Sequence, residues 1–199
     1  IITCAFVPAR IICDAKTLFK STLYNIPIFG AIAAACRHIP VFFKADVSGK
    51  FSTDDAKKAI TQQRVDETLT DGYHLTMFPE GTMNRADVTQ LQPFRWGSFK
   101  ALLAHNADLW GLAIHNTEVC WPINAKDGNN TGNMGGFSSE LTLRLFPIAE
   151  HGCSEFVGGE AKVVKDSNSE AFSEQVKTVA DKAKEIFQVQ IDDLHKKDK

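Results

Sequence analysis

The sequence predicts an α/β fold, a mixed and mostly parallel sheet flanked by helices. Three observations lead there. Short apolar runs alternate with helical segments along the chain, the pattern of a sheet covered by helices. The last long segment gathers its apolar residues on one helical face. The 199 residues are 44% apolar and 23% charged, the balance of a globular protein with room for one sizeable core. No repeat, low-complexity stretch or wide linker divides them, so residues 1–199 are expected to form a single domain.

The elements follow in order. Residues 10–13 are a short apolar run that fits a buried strand. Residues 14–24 read as a short helix, interrupted at Asn25-Ile26-Pro27 because proline disfavours helical geometry in the residue before it. Residues 29–37, rich in alanine, read as a second short helix. The β-branched and aromatic run at 40–44 reads as a strand ending on a basic residue, Lys44. Ser52 or Thr53 is expected to cap the next helix, with Asp54 and Asp55 in its first turn where the helix dipole favours them. Ala56, Ala59, Ile60, Val65 and Leu69 roughly keep helical spacing, and Gly72 closes the element.

Residues 74–78 read as an apolar strand that runs into the turn Pro79-Glu80-Gly81-Thr82. A helix over 94–105 and a strand over 109–114 come next, then a loop rich in Gly and Asn at 126–136. Leu141, Leu143 and Leu145 alternate with Thr142, Arg144 and Phe146, the period-two mark of a strand. Residues 170–195 place Phe172, Val176, Val179, Ala183, Ile186 and Phe187 on one face of a helix expected to pack on the sheet.

A formal net charge of -2 argues against a general attraction to nucleic acid, while leaving room for a local basic pocket. The cysteines, Cys4, Cys13, Cys36, Cys120 and Cys153, form no C-x-x-C pair. They point neither to a zinc site nor to a disulfide framework, and read as small buried residues in a reducing compartment. No run reaches the roughly 20 apolar residues of a membrane-spanning helix. With no initiator Met and no cleavable leader, the chain is expected to begin in mid-domain.

The run at 75–85, LTMFPEGTMNR, carries the most chemistry. An apolar strand is followed by a carboxylate, a glycine and a hydroxyl, with Arg85 three residues further on. Ligands of open α/β sheets bind at the C-terminal ends of strands. Gly81, lacking a Cβ, lets a ligand approach the backbone. Glu80 can accept from a hydroxyl or orient a cation, and Arg85 can grip a phosphate with its planar fork. The same residues also suit an ordinary surface turn.

Residues 78–85, FPEGTMNR, resemble the F-P-E-G-T-R signature of the PlsC-type glycerolphosphate and lysophospholipid acyltransferases. Other stretches fall in the same order. AKTLF at 15–19 and IPIFG at 26–30 are similar to the family's A-K-x-x-L-F and I-P-x-x-G. PVFFK at 40–44 is similar to its second motif, and FRWGSF at 94–99 to the F-K-x-G-A-F helix start. The resemblance covers roughly residues 10–114 and implies a glycerolphosphate acyltransferase-like α/β fold.

Three departures stand out. Met83 occupies the place of the signature arginine, so one phosphate ligand is absent or its role passes to Arg85. The proline-rich fourth motif is replaced by GLAIHN at 111–116, which makes His115 a weak site candidate. The family's catalytic pair, H-x-x-x-x-D, is not in these residues: no aspartate stands five positions after any of the histidines. Counting back from Lys16 places that pair at or before Ile1, so an N-terminally truncated sequence is expected.

For the intact protein, the resemblance implies acyl transfer from acyl-CoA or acyl-carrier protein to a glycerol phosphate or lysophospholipid hydroxyl. Lys44, Glu80, Gly81, Thr82 and Arg85 would bind the substrate and its phosphate. Neither a cofactor nor a metal is implied, and no nucleic acid. The partners are an acyl thioester, a phosphorylated glycerol or lysophospholipid, and a membrane surface. The location implied is intracellular and membrane-associated, at the endoplasmic reticulum or plastid in a eukaryote. Two other readings stay open. One is a non-catalytic module that binds lipid or acyl thioester. The other is a hydrolase, against which the lack of a G-x-S-x-G turn counts.

Overall fold

A computed structural model describes residues 14–44, 52–81, 87, 89–117 and 140–196. It shows a mixed α/β protein with a small parallel sheet and, among the described residues, four α-helices. The chain divides into two compact units, residues 1–78 and 79–199.

In the first unit a three-stranded parallel sheet has the order β2-β1-β5, with β1 at Ala15–Lys20, β2 at Ile39–Val41 and β5 at His74–Thr76. Strand β1 is central: Leu18 pairs with Ile39 on one side and Lys16 with Leu75 on the other. This corrects the helix expected over 14–24, which is a strand followed by a 3-10 turn at Ser21–Asn25. Ala, Lys and Leu favour helix locally, but two flanking strands satisfy the backbone of this run along both edges.

Helix α1, Phe29–Ala35, forms as expected. Its Gly30 is required by space: a Cβ there would lie 2.0 Å from the carbonyl oxygen of Tyr24. The I-P-x-x-G glycine thus lets the helix start press against the preceding turn. His38 then ties α1 to β1. Its Nδ1 accepts from the Thr17 amide at 3.1 Å, and its ring meets Phe19 edge-on at 4.9 Å. Its carbonyl accepts from the Tyr24 hydroxyl at 2.6 Å.

The strand expected over 40–44 is two pieces, β2 and β3 (Phe43–Lys44), broken at Phe42. Strand β3 pairs antiparallel with β4, Ser52–Thr53. Ser52 and Thr53 are therefore strand residues, and Asp54 caps α2 (Asp55–Thr70), accepting from the Ala56 amide at 3.2 Å. Gly72, at φ +76°, ends the helix in the left-handed conformation.

In the second unit β6, Leu109–His115, pairs antiparallel with β7, Thr142–Ala149. One face of β6, Gly111, Ala113 and His115, is buried, while Trp110, Leu112 and Ile114 are exposed. On β7 the buried residues are Phe146, Ile148 and Ala149, and Leu145 is 67% exposed. The strand expected from the alternation is present, and its inward face carries Phe146 and Ile148. Phe146 lies across Gly111, where a Cβ would come within 2.4 Å of the ring.

The helix expected over 94–105 is a 3-10 turn, Trp96–Ser98, followed by α3, Phe99–Ala104. Helix α4, Glu170–Lys196, buries Phe172, Val176, Val179, Ala180, Ala183 and Leu194. No helix among the described residues is long and apolar enough to cross a membrane. Cys36 is half-buried and Cys153 fully buried, and both are free. Burial pushes the Cys153 thiol up to about 12, with Glu155 and Asp108 adding to the shift. The strand expected at 10–13 and the loop at 126–136 lie outside the described residues.

Candidate functional site

The turn after β5 is the centre of the second unit's polar architecture. Pro79, Glu80 and Gly81 form it, and Gly81 has φ +64°, a conformation in which a side chain is strained. Three hydrogen bonds fold the segment 92–95 back onto this turn. The Gln92 amide donates to Glu80 Oε2 at 3.2 Å, the Arg95 amide to the Pro79 carbonyl at 2.8 Å, and Arg95 Nε to the Glu80 carbonyl at 3.2 Å. The guanidinium lies so close to Gly81 that a Cβ there would sit 2.5 Å from Arg95 Nε. Glycine is favoured at 81 by its dihedral angle, and a larger residue there would also displace the Arg95 side chain.

Partial burial holds the Glu80 carboxyl above the usual carboxylate range, opposed by the Gln92 amide and by the positive charge of Lys184 on α4. A carboxyl in that condition keeps its proton to higher pH than a surface glutamate does.

Behind the turn, Gln188 of α4 reads the backbone like a neighbouring strand. Its Oε1 accepts from the Leu91 amide at 2.9 Å, and its Nε2 donates to the Thr89 carbonyl at 2.7 Å. The same amide nitrogen reaches Asp192 Oδ1 at 2.8 Å. Phe94 packs beside this clamp, with its ring 6.1 Å from Phe99 and 6.2 Å from Phe187 of α4. Helix α4 therefore braces the whole stretch from Thr89 to Phe99 with both polar and aromatic interactions.

The predicted residues fall as follows. Glu80 and Gly81 share the turn, while Thr82 and Arg85 lie outside the described residues. Lys44 ends β3 in the first unit, its backbone in register with Ser52. His115 ends β6 on the packed face, 6% exposed, with its ring 4.3 Å from His195 of α4 and at right angles to it. Among the described residues no group of three or more His, Cys, Asp or Glu is placed to hold a metal ion.

Three residues escaped the sequence reading. Arg95 was visible within FRWGSF, but nothing local tells which way its guanidinium turns. Gln188 has no sequence signature, because its partners lie about a hundred positions away. Lys16 is a buried basic residue near the start of β1, 6% exposed, with Nζ 4.6 Å from the Tyr73 ring centre. Burial is the larger cause of the lowered His38 pKa, and the charge of Lys16 adds to it.

A sequence model of the family described as Acyltransferase matches residues 1–115, more than half of the chain. Comparison with curated proteins and with solved structures finds no match.

Proposed function

Because the chain belongs to the acyltransferase family, as the match over residues 1–115 shows, we propose that it serves acyl transfer to a phosphorylated glycerol or a lysophospholipid. The donor is acyl-CoA or acyl-carrier protein, and the setting is phospholipid synthesis at a membrane surface. The observation that carries this reading is the Pro79–Gly81 turn, where a partly buried carboxyl adjoins a glycine in a left-handed conformation that strains any side chain.

In the reaction the acceptor hydroxyl oxygen attacks the thioester carbonyl carbon. A C–O bond forms, the C–S bond breaks, and the hydroxyl proton passes through a base to the departing thiolate. The base is the histidine of an H-x-x-x-x-D pair, a pattern that these 199 residues do not contain. General-base assistance of this kind is worth about 10²–10⁴-fold. By its resemblance to the family signature, the segment Glu80, Gly81, Thr82 and Arg85 is the proposed holder of the phosphorylated acceptor, with Gly81 leaving room at the backbone.

Two measurements test the proposal. In the complete natural protein, Glu80→Gln and Arg85→Ala are each expected to lower acyl transfer to glycerol 3-phosphate or lysophosphatidate, by about a hundredfold if positioning is lost. Unchanged rates would remove those residues from the site. The 199-residue chain by itself is expected to show no turnover, and any turnover would contradict the assignment of the base.

A second reading is a non-catalytic module that binds lipid or acyl thioester. The complete coding sequence separates the two, since a natural protein without that pair upstream would be a binding module.

A further inference from the structure

Arg95 is placed unlike a surface arginine. Its amide and its Nε are both spent on the turn, on the Pro79 and Glu80 carbonyls. The guanidinium is thereby laid against Gly81. Its side chain is nevertheless exposed, and its terminal Nη groups make no hydrogen bond or ion pair among the described residues. Glu80 Oε2 accepts from the Gln92 amide, and no ion pair joins the Glu80 carboxyl to Arg95 among the described residues. A guanidinium held through Nε presents its remaining N–H groups as a planar fork with little rotamer freedom left to lose. That is the geometry that takes two oxygens of a phosphate or carboxylate.

We infer that Arg95 is a phosphate-binding residue of the Glu80–Gly81 site, offering its Nη edge to a phosphate group of one of the two substrates. The inference rests on the acyl-transfer reading above and adds a ligand interaction to it. The sequence strengthens it independently: Met83 leaves the signature's arginine position without a charge. Arg95 supplies a guanidinium beside the same turn from a segment further along the chain. The phosphate has two chemical sources, the phosphorylated acceptor and the coenzyme A part of the donor.

Direct binding to the 199-residue chain decides the matter, with glycerol 3-phosphate and coenzyme A as separate probes and glycerol as the uncharged control. Calorimetry on wild type, Arg95→Ala and Arg95→Lys is the measurement. Arg95→Ala is expected to weaken one phosphorylated probe by at least about tenfold, the scale of removing a charge-assisted hydrogen bond. Arg95→Lys should fall between, keeping the charge and losing the fork. Weakening confined to glycerol 3-phosphate assigns the acceptor phosphate, and weakening confined to coenzyme A assigns the donor. If wild type binds both probes and neither variant differs from it, the inference fails while the acyl-transfer reading stands. If wild type binds neither probe, both fail together. Should Arg95→Ala unfold, Arg95→Lys with an unchanged circular dichroism spectrum carries the comparison alone.

Discussion

Helices α2 and α4 differ in their patterning: α4 gathers apolar residues on one face, and α2 is mostly polar all round. Helix α4 buries a continuous stripe from Phe172 to Ala183 and a further Leu194. Helix α2 buries Val65 and Thr68, while Ile60 is 47% exposed and Ala56 and Ala59 face outward. Besides Val65, α2 is tied to its neighbours by the Thr61 hydroxyl, which donates to the Pro40 carbonyl at 2.9 Å. Helix α4 rests on a larger buried apolar stripe, to which Gln188 adds directed bonds. They should therefore respond differently to mutation and to pH.

The sharpest test is Phe172→Ala. The side chain is 1% exposed, so its removal leaves a cavity and is expected to cost about 3–5 kcal/mol in a denaturant titration. A cost near zero would erase the contrast. Gln188→Ala comes next, at about 1–3 kcal/mol, since it leaves the Leu91 amide and the Thr89 carbonyl without a partner. Hydrogen exchange at the Leu91 amide should accelerate in that variant and stay slow in wild type.

Acidification probes the first unit. Burial, with Lys16 second, lowers the pKa of His38, so the folded state prefers the neutral ring. Stability from this group is full above the unfolded value of about 6.5 and is lost as pH falls through the depressed folded value. The protection factor of the Thr17 amide, whose acceptor is His38 Nδ1, should drop over that same fall in pH. A pH-independent Thr17 would break this part of the comparison. The smallest effect is expected from Ile60→Ala, within about 0.5 kcal/mol, because the side chain is 47% exposed.

The same contrast explains what could be read from the sequence. Helix α4 was legible because burial imposes a strict period on the residues that face the core: Phe172, Val176, Val179 and Ala183 were all named and all are buried. The α/β class followed from alternation, and the Pro79–Gly81 turn followed from a motif whose residues are adjacent. Strand β1 was not legible, because AKTLFK becomes a strand only through its pairing with β2 and β5, far along the chain. Which face of β7 turns inward was not legible for a related reason. Alternation marks two faces, and it is the packing of Phe146 over Gly111 that selects between them. At the site, Glu80 and Gly81 were visible as chemistry, whereas the direction of Arg95 and the reach of Gln188 exist only once the backbone has folded back.

Gln188 carries a practical lesson for anyone cutting this gene into pieces. The family match stops at residue 115, but the amide that holds the backbone at Thr89 and Leu91 sits on the final helix. A fragment trimmed to the recognisable region would keep every signature residue and discard the part that keeps them in shape. Boundaries drawn by similarity and boundaries drawn by mechanics do not coincide in this molecule.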